Sequence, residues 1–497
     1  MGDQIREACG VFGIYAPRLD VARLTFYGLF ALQHRGQESA GICASDGSSL
    51  KLRTGMGLVA QVFDEEALEP LQGIAAIGHT RYSTTGSSRY RNAQPLLMQG
   101  PEGRLALAHN GNIVNAAQIR ANLESEGQHF ETSTDTEIIG KYLLSLGGTW
   151  AERFAEVMRV FSGAYSLTLL TPTSVMAARD PLGVRPLCIG QIDDDSYVVA
   201  SETCALDHIG AEFVRYVEPG ELITIDEHGL KSEQVAVPTE PAGCIFEQIY
   251  IARPDSRLDG QLAYTARLAM GAELARESHD VEADLVIGVP DSATAHAVGY
   301  AQESGVPYVD GLVRNRYVGR TFIQPDQLLR ERGVGLKFNP LAEVINGKRL
   351  VVVDDSIVRG TTTPRIVQLL RAAGAAEIHV RITAPPIRHA CFFGVDMATR
   401  GELIASHHTV EEVREHIGAD SLAYLSIEGL RRAVSGKESH CEACFTGDYP
   451  VPVQLEMDKL ALEQDDLGME GDSPRGVANV AIFSSPNSDA IEEEARG

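Results

Sequence analysis

The chain has 497 residues, of which 44% are hydrophobic, and it carries a formal net charge of −25. Its length exceeds what one hydrophobic core usually supports, so we expect two domains, and the negative charge argues against nucleic-acid binding. No apolar run approaches the roughly 20 residues of a transmembrane helix, and the first residues lack the features of a signal peptide. Eight cysteines do not indicate a disulfide scaffold in so long a chain. We therefore expect a cytoplasmic protein without membrane contact.

A cysteine near the N-terminus is the first candidate for chemistry. Cys9 stands at the start of the apolar run Gly10–Ile14, and a lone cysteine in such a place is most often a buried strand residue. Removal of a leader peptide, residues 1–8, would give Cys9 a free α-amino group. Because an α-amine titrates at about pH 8, it can act as the base for the adjacent thiol. One residue would then supply both nucleophile and base.

Four polar blocks, three of them with glycine, follow in the first half of the chain. Their sequences are LQHRGQESAG at 32–41, GHTRYST at 78–84, ALAHNGNI at 106–113 and TDTE at 134–137. Taken alone, Asn110–Gly111 is a typical hairpin turn, whereas an Asn amide beside a Gly N–H can also form an oxyanion hole. Thr134 before a helical stretch is a typical helix cap.

Together with Cys9-Gly-Val-Phe-Gly, these blocks resemble, in order, the class II glutamine amidotransferases. The resemblance implies an α+β N-terminal-nucleophile (Ntn) glutaminase domain, an αββα sandwich, over residues 9–240. It also implies a catalytic set and a glutamine-binding set: Cys9 as nucleophile, Asn110 and Gly111 as oxyanion hole, and Arg35, Arg81 and Asp135 as glutamine ligands. A guanidinium suits a carboxylate and an aspartate suits an ammonium group. Tyr82 is a candidate gate beside Arg81.

The second half, residues 241–455, has the alternating pattern of an α/β domain. The segment Pro238–Gly243 is typical of a linker. Apolar strands alternate with helical stretches after it, which predicts a parallel sheet covered on both faces. The predicted strands are Leu285–Val289, Tyr308–Val309, Leu350–Val353 and Ile378–Ile382.

The most specific motif of the chain is LVVVDDSIVRGTTTP, Leu350–Pro364. A buried strand ends in two acids, a loop of hydroxyl residues with one glycine follows, and a proline starts a helix. Such a loop before a helix N-terminus is suited to hold a phosphate, while two adjacent acids suit sugar hydroxyls or a divalent cation. The alternative to a phosphate-binding loop is a solvent-exposed turn after an ordinary strand.

This motif resembles the signature for phosphoribosyl pyrophosphate (PRPP) in type I phosphoribosyltransferases. In that family the acids hold the ribose hydroxyls, directly or through Mg²⁺, and the loop holds the 5′-phosphate. The resemblance therefore implies a PRPP-binding set: Asp354, Asp355, Ser356, Arg359, Gly360, Thr361, Thr362 and Thr363. By the same resemblance Pro290–Thr294 holds the pyrophosphate, and Mg²⁺ is held by Ser292, Asp354 and Asp355.

A long basic stretch lies between the two motifs. Asn315–Pro340 contains several arginines and little apolar periodicity, as is typical of a lid over an active site. Arg332 and Lys337 are its candidate phosphate or pyrophosphate contacts. An exposed charged loop is the alternative.

The cysteines fall into two groups. Cys43, Cys188 and Cys204 lie among apolar or small residues and are predicted to be core. Four others are candidate metal ligands: Cys244, Cys391, Cys441 and Cys444. On chemistry alone, four thiolates from distant segments fit zinc or a [4Fe–4S] cluster equally well.

Nearly the whole chain up to about residue 455 resembles the glutamine PRPP amidotransferases, in the branch with a cleaved leader and an iron–sulfur centre. This resemblance favours one [4Fe–4S] cluster per chain over zinc, besides Mg²⁺. It implies the conversion of glutamine, PRPP and water to 5-phosphoribosylamine, glutamate and pyrophosphate, the first step of purine synthesis, with ammonia channelled between the two sites. It further implies a homotetramer and feedback inhibition by purine nucleotides. Residues 456–497 are acidic and are expected to be disordered.

Two other functions compete with this interpretation. A glutamine-dependent enzyme with a different acceptor would share the first half, but the motif at Leu350–Pro364 speaks against it. A regulatory protein that has kept the fold without catalysis is the second alternative. The presence of Cys9, Arg81, Asp135 and both acids after Val353 speaks against that one.

Overall fold

The computed structural model describes residues 9–82, 88–101, 103–278, 280–315, 338–397, 400–434, 440–453 and 481–483. These residues form two compact units. The first contains the described parts of Glu7–Gly243 and of Val451–Gly497, together with Phe392–Val395. The second contains the described parts of Cys244–Cys391 and of Asp396–Pro450. The chain passes from the first unit to the second next to the predicted boundary at Glu240, but nothing in the sequence indicated that Phe392–Val395 belongs to the first.

Two antiparallel sheets form the first unit. The strands are, in chain order, β1 (Gly10–Tyr15), β2 (Ser39–Ser45), β3 (Leu50–Met56), β4 (Ala75–Arg81), β5 (Leu96–Gly100), β6 (Gly103–Ile113), β7 (Gly163–Leu170), β8 (Val175–Arg179), β9 (Cys188–Asp193), β10 (Ser196–Ala200), β11 (Glu212–Tyr216), β12 (Glu221–Asp226) and β13 (Gly229–Gln234). One sheet has the order β11-β9-β10-β1-β4-β2-β3, and the other has the order β13-β12-β8-β7-β6-β5.

Helices cover the outer face of each sheet. They are α1 (Val21–Ala31), α2 (Val59–Val62), α3 (Glu65–Leu68), α4 (Ala116–Ser125), α5 (Asp135–Ser145), α6 (Trp150–Val160) and α7 (Thr203–Ile209). One core joins the first sheet to α1, α2, α3 and α7, a second joins the other sheet to α4, α5 and α6, and a third lies between the sheets. The predicted αββα sandwich is therefore confirmed.

Strand β1 shows how the sequence builds these layers. It lies in the middle of its sheet, with β4 on one side and β10 on the other. Successive side chains of a strand point to opposite faces. Accordingly Phe12 and Ile14 pack into the core under the helices, whereas Val11 and Tyr15 pack into the core between the sheets. Because both faces of β1 are buried, its sequence is apolar throughout and places Cys9 at the end of a rigid element.

A parallel four-stranded sheet forms the centre of the second unit. Its strands lie in the order Leu285–Gly288, Arg349–Asp354, Glu377–Ile382 and Ser421–Tyr424. The helices are α8 (Ala263–Glu277), α9 (Thr294–Ser304), Ala342–Ile345, Thr363–Ala372, Val410–Ile417, Ile427–Ala433 and Ala443–Thr446. Two-stranded ladders join Gly243–Cys244 to His440–Cys441, Arg257–Leu258 to Gln261–Leu262, and Leu312–Arg314 to Phe338–Pro340. The predicted α/β phosphoribosyltransferase fold is confirmed.

The strand Arg349–Asp354 is apolar on both faces because the sheet is covered on both. Leu350 and Val352 pack with Ile366 and Val413 in one core, and Val351 and Val353 are buried as well. Continuous apolar runs of this kind are typical of parallel strands. Tyr308, predicted to begin a strand, makes only an isolated parallel bridge to Val286.

A short tail strand, Ala481–Phe483, extends the first sheet beyond β3, where Ala481 is paired with Leu52 and Phe483 with Leu50. We predicted a disordered or loosely attached tail over residues 456–497, and nothing in the sequence indicated a strand at these three residues. They belong to the apolar run Val480–Phe483, and an isoleucine and a phenylalanine favour strand formation beside an unpaired sheet edge. No helix within the described residues is long and apolar enough to cross a membrane.

Candidate active site

Cys9 immediately precedes β1, and only 6% of its surface is exposed. Its thiol donates a hydrogen bond to the Tyr82 carbonyl oxygen at 3.2 Å, and the Tyr82 N–H lies 3.4 Å from Sγ. Burial raises the pKa of the Cys9 thiol, and the Tyr82 hydrogen bond and the Arg81 charge oppose this effect only in part. The thiol is therefore protonated at neutral pH and needs a base before it can attack.

A pocket opens at this thiol. It is lined by Cys9, Arg81, Tyr82, Gln94, His109, Gly111, Thr134 and Asp135. Residues from three of the four sequence blocks thus meet Cys9 at one place. Of the residues predicted for this site, Arg35 and Asn110 do not line the pocket.

Opposite charges stand on the pocket wall. Arg81 ends β4 and Asp135 begins α5, and both side chains are buried. Burial alone would raise the pKa of Asp135. The charge and hydrogen bond of His109, whose Nδ1 lies 3.3 Å from Oδ1, and the N–H of Ile113 at 3.1 Å outweigh burial and hold this pKa below its usual value. The carboxylate is therefore ionised, and the pocket presents complementary charges to a free amino acid.

Asn110 and Gly111 lie inside β6, paired with Ser166 and Tyr165, so they do not form a hairpin turn. Asn110 is fully buried, and neither Oδ1 nor Nδ2 has a hydrogen-bond partner within the described residues. Leaving a buried amide unpaired costs about 1–3 kcal/mol, as is expected of a group that awaits a ligand. Gly111 has φ of 152°, and a Cβ there would lie 1.9 Å from the Ala164 carbonyl oxygen, so this position requires glycine.

Arg35 contacts the backbone of the nucleophile. Its guanidinium is fully buried, and Nε donates to the Cys9 carbonyl oxygen at 3.1 Å. Nη1 pairs with the buried Glu202, which also accepts a hydrogen bond from His34 Nε2 at 2.7 Å. The charge pair fixes the carbonyl group of Cys9. The part in glutamine binding that the resemblance implied for Arg35 stays a prediction.

The two acids of the second unit lie at the carboxyl end of the strand Arg349–Asp354 and are both buried. The N–H of Asp355 donates to Asp354 Oδ1 at 2.9 Å, and Ser356 Oγ donates to Asp355 Oδ1 at 2.5 Å. Burial raises the pKa of Asp355, against hydrogen bonds from Ser292 and Ser356. Ser292 follows the neighbouring parallel strand, so the structure brings together the three predicted Mg²⁺ ligands.

The predicted phosphate loop connects this strand to the helix Thr363–Ala372. Gly360 has φ of 67°, and its carbonyl oxygen lies 2.8 Å from Nε2 of His416. Arg359 forms an ion pair with Glu402 at 3.3 Å. The loop therefore reaches a helix N-terminus, where backbone N–H groups favour an anion. Arg332 and Lys337 lie outside the described residues, although the ladder Leu312–Arg314 with Phe338–Pro340 joins the two ends of their segment.

The four candidate metal-binding cysteines converge within the second unit. The strand that ends in Cys244 is hydrogen-bonded to the strand that ends in Cys441. The Cys444 carbonyl oxygen accepts hydrogen bonds from the N–H groups of Arg388 and His389, close to Cys391 in the chain. Burial, and after it the charges of the other three cysteines, raises the pKa of the Cys444 thiol. Cys43, Cys188 and Cys204 are buried, as predicted.

Comparison with known proteins identifies both halves. A family model described as a glutamine amidotransferase domain matches residues 79–208, and one described as a phosphoribosyl transferase domain matches residues 261–388. The amidophosphoribosyltransferase of Synechocystis is 52% identical to this chain over 93% of the chain and 95% of its own length. The chain belongs to the amidophosphoribosyltransferase family. The Bacillus subtilis member is 50% identical over 90% of this chain and 95% of its own length.

Two solved structures share the fold. One, described as the allosteric regulatory enzyme of purine biosynthesis, has a TM-score of 0.85 and 50% identity over 90% of this chain and 97% of its own. The other, glutamine PRPP amidotransferase from Bacillus subtilis complexed with ADP and GMP, has a TM-score of 0.84 and 49% identity over 90% and 98%. The enzyme is accordingly a glutamine-dependent phosphoribosyltransferase that catalyses the first step of purine biosynthesis.

Some residues at the Cys9 pocket were not assigned from the sequence. His109 and Thr134 lie within two of the recognised blocks, but the patterns gave them no contact with Asp135 or with the pocket. Gln94 belongs to none of the blocks, and its Oε1 accepts the His109 N–H at 2.9 Å. The available sequence signal for His109 was its position directly before Asn110 in the same motif. No sequence signal pointed to Gln94.

Proposed function

We propose that the pocket at Cys9 is the glutaminase site of this enzyme and that the loop after Asp354 is its PRPP site. The observation that carries the first assignment is a single pocket with a thiol, a buried guanidinium and a buried carboxylate on its walls. The second assignment is supported by two buried acids at the end of a parallel strand, followed by a loop to a helix N-terminus.

Glutamine hydrolysis follows from the groups at the first site. With residues 1–8 removed, the α-amine of Cys9 takes the proton from Sγ as sulfur attacks the side-chain amide carbon of glutamine. Asn110 Nδ2 and the Gly111 N–H donate to the developing oxyanion. The proton then passes to the leaving nitrogen, ammonia departs, and water hydrolyses the thioester to glutamate. Arg81 holds the α-carboxylate of glutamine, and Asp135 holds its ammonium group.

The charge state of Asp135 gives this assignment a pH dependence. Replacing His109 with leucine removes the charge and the hydrogen bond that lower the pKa of Asp135 most, so this pKa rises, with only the N–H groups of Ile113 and Thr136 left to oppose burial. The carboxylate then becomes protonated at a higher pH and releases the ammonium group of glutamine. We expect the acid limb of kcat/KM for glutamine to move to higher pH, with the KM for glutamine rising as the pH falls through this limb.

The control for this experiment is His228→Leu, which removes a histidine whose side chain is 84% exposed on a turn of the same unit. Its pH profile is expected to match that of the unmodified enzyme. A His109→Leu profile with an unmoved acid limb would show that Asp135 does not bind the ammonium group.

The PRPP site combines charge neutralisation with phosphate binding. Asp354, Asp355 and Ser292 offer oxygen ligands of the kind that Mg²⁺ prefers, and two adjacent buried carboxylates fit a divalent cation. When bound, Mg²⁺ supplies positive charge to the departing pyrophosphate. Six loop and helix-start residues bind the 5′-phosphate and ribose: Ser356, Arg359, Gly360, Thr361, Thr362 and Thr363. Arg332 and Lys337, which lie outside the described residues, stay the predicted contacts of the phosphate or pyrophosphate.

Ammonia connects the two reactions. In neutral water it is almost entirely ammonium, which lacks the lone pair needed to attack C1 of the ribose. We therefore infer that ammonia passes from the glutaminase site to the PRPP site without equilibrating with solvent.

The four cysteines lie close enough for burial and the charges of the other three to raise the pKa of the Cys444 thiol. Four thiolates of this kind suit zinc or a [4Fe–4S] cluster. We propose the cluster because the resemblance to the iron–sulfur branch of the family implies it. The residues that would hold it are Cys244, Cys391, Cys441 and Cys444. Its part is structural.

Intact mass and metal content, measured on one anaerobically purified sample that is also assayed for glutamine hydrolysis, test these assignments. We expect a chain lacking residues 1–8, about four irons per chain, and glutaminase activity. Zinc, or no iron, would rule out the cluster. An uncleaved chain that still hydrolyses glutamine would rule out the α-amine as the base.

Regulation and assembly are proposed from the relatives. Because the Bacillus subtilis structure is described as a complex with ADP and GMP, we propose that purine nucleotides bind and inhibit this enzyme as well. A nucleoside monophosphate shares the 5′-phosphate of PRPP and can occupy the same loop. We further propose a homotetramer.

A further inference from the structure

A four-residue segment from late in the chain packs against the oxyanion strand. Phe392–Val395, here called the strap, belongs to the first unit although the chain directly before and after it belongs to the second. Asn112 Nδ2 donates to the Phe392 carbonyl oxygen at 2.9 Å. Arg185 donates to the Phe393 carbonyl oxygen through Nε at 2.9 Å and through Nη2 at 2.7 Å. The sandwich therefore holds the strap by its backbone.

The strap touches the oxyanion residue through a glycine. A Cβ built on Gly394 would lie 2.8 Å from the carbonyl carbon and 2.9 Å from the Cα of Gly111. Gly394 also has φ of 93°, which side chains rarely adopt. On its other side Gly111 is backed by the Ala164 carbonyl oxygen, 1.9 Å from where its own Cβ would be. The Gly111 peptide is thus confined between β7 and the strap.

Confinement of the Gly111 peptide matters because its N–H has to point at the position that the oxyanion will occupy. A backbone donor stabilises an oxyanion only when it is held at hydrogen-bond distance from the position that the oxyanion occupies. The contacts to the strap are made by Arg185, which is fully buried, and Asn112, which is 7% exposed. Neither side chain lines the Cys9 pocket, so both act on the strap and not on the substrate.

We propose that the strap is a positioning element of the glutaminase site, which holds Gly111 so that its N–H meets the oxyanion of the tetrahedral intermediate. The inference rests on the proposed roles of Cys9 and Gly111. Because Phe392 follows Cys391 and Val395 precedes Asp396, both in the second unit, the chain of the second half supplies part of the wall behind the catalytic site of the first. Gly394 acts through Gly111 and is not a catalytic residue.

The test is Gly394→Ala in the processed, full-length enzyme. The added methyl group displaces Gly111, so we expect kcat for glutamine hydrolysis to fall by about 10²- to 10³-fold. The KM for glutamine stays within about twofold, because Arg81 and Asp135 bind the ground state. Synthesis of phosphoribosylamine from PRPP and ammonium salt, and alkylation of Cys9 by iodoacetamide, keep their rates. If the strap only supported the fold, Gly394→Ala would also change the KM for glutamine, the ammonia-dependent rate and the rate of Cys9 alkylation.

The matched control is Gly401→Ala, where an added Cβ meets nothing within 4 Å; its glutaminase kcat is expected to be unchanged. Should Gly394→Ala fail to fold, Asn112→Ala removes one hydrogen bond to the strap and is expected to give a smaller loss of kcat alone. Unchanged kcat in the folded variant, or equal losses with glutamine and ammonia, would overturn the proposal. If Cys9→Ala leaves glutamine hydrolysis intact, the proposed glutaminase site itself is wrong.

Discussion

Replacing Cys9 with alanine is expected to lower glutamine-dependent synthesis of phosphoribosylamine by a factor on the order of 10⁴ or more, because the variant lacks the nucleophile. The same variant is expected to keep its activity with PRPP and ammonium salt, since the acceptor chemistry belongs to the second unit. Both rates are measured on one preparation, with product formation followed at saturating PRPP.

Cys43→Ala is the control for this substitution. Cys43 is a fully buried cysteine of the same sheet, so its loss tests the removal of a buried thiol without touching the pocket. We expect Cys43→Ala to retain both activities, with some loss of thermal stability from the cavity. Glutamine-dependent activity that survives in Cys9→Ala would contradict the assignment of the nucleophile. Loss of both activities would indicate that the substitution acts on folding.

The parts of this fold that were predicted correctly are those determined by residues close together in the sequence. The run Leu350–Val353 is apolar because both faces of its strand are covered, and the acids, loop and helix start follow within a few positions. The pattern therefore specified a strand, a loop and a helix. In the first unit, the blocks around Arg81, Asn110 and Asp135 were recognised for the same reason, since each is short and contiguous.

Contacts between distant positions could not be predicted in this way. Asp135 owes its low pKa to His109, and Cys9 has its carbonyl group held by Arg35, but a pattern of residue types does not state which partner a side chain will face. Asn110–Gly111 illustrates the difference, because the same two residues favour a hairpin turn by local preference and lie inside β6 in the structure. Pairing with β7 overrides the local preference.

The strap and the tail strand were missed for a related reason. Phe392–Val395 has no sequence feature that distinguishes it from a loop, and the apolar run Val480–Phe483 is too short to predict a strand within an acidic tail. Each segment is placed by an edge or a surface made elsewhere in the chain. A glycine such as Gly394 is common in turns, so the sequence alone gave no reason to single it out. Only the position of Gly111 next to it shows why a side chain is not tolerated there.

Converting both acids to amides, Asp354→Asn with Asp355→Asn, is expected to abolish PRPP-dependent synthesis with either nitrogen source, by about 10³-fold or more, because the ribose hydroxyls and Mg²⁺ lose their charged ligands. Basal glutamine hydrolysis is expected to remain. Glu343→Gln, an exposed acid on the helix Ala342–Ile345 of the same unit, is the acid-to-amide control and should retain both activities.

Stability separates this loss from unfolding. Two carboxylates buried side by side are costly to ionise, as the raised pKa of Asp355 indicates, so the paired amides are expected to unfold at a Tm equal to or above that of the parent enzyme in the absence of Mg²⁺. Addition of Mg²⁺ and PRPP should raise the Tm of the parent enzyme by linkage and leave that of the variant unchanged. A lower Tm in the variant would mean that the acids are structural. A lower Tm together with retained PRPP-dependent synthesis would remove them from the active site. Acids that reduce stability and yet are required for activity are expected where a site is organised for a charged ligand and not for the fold.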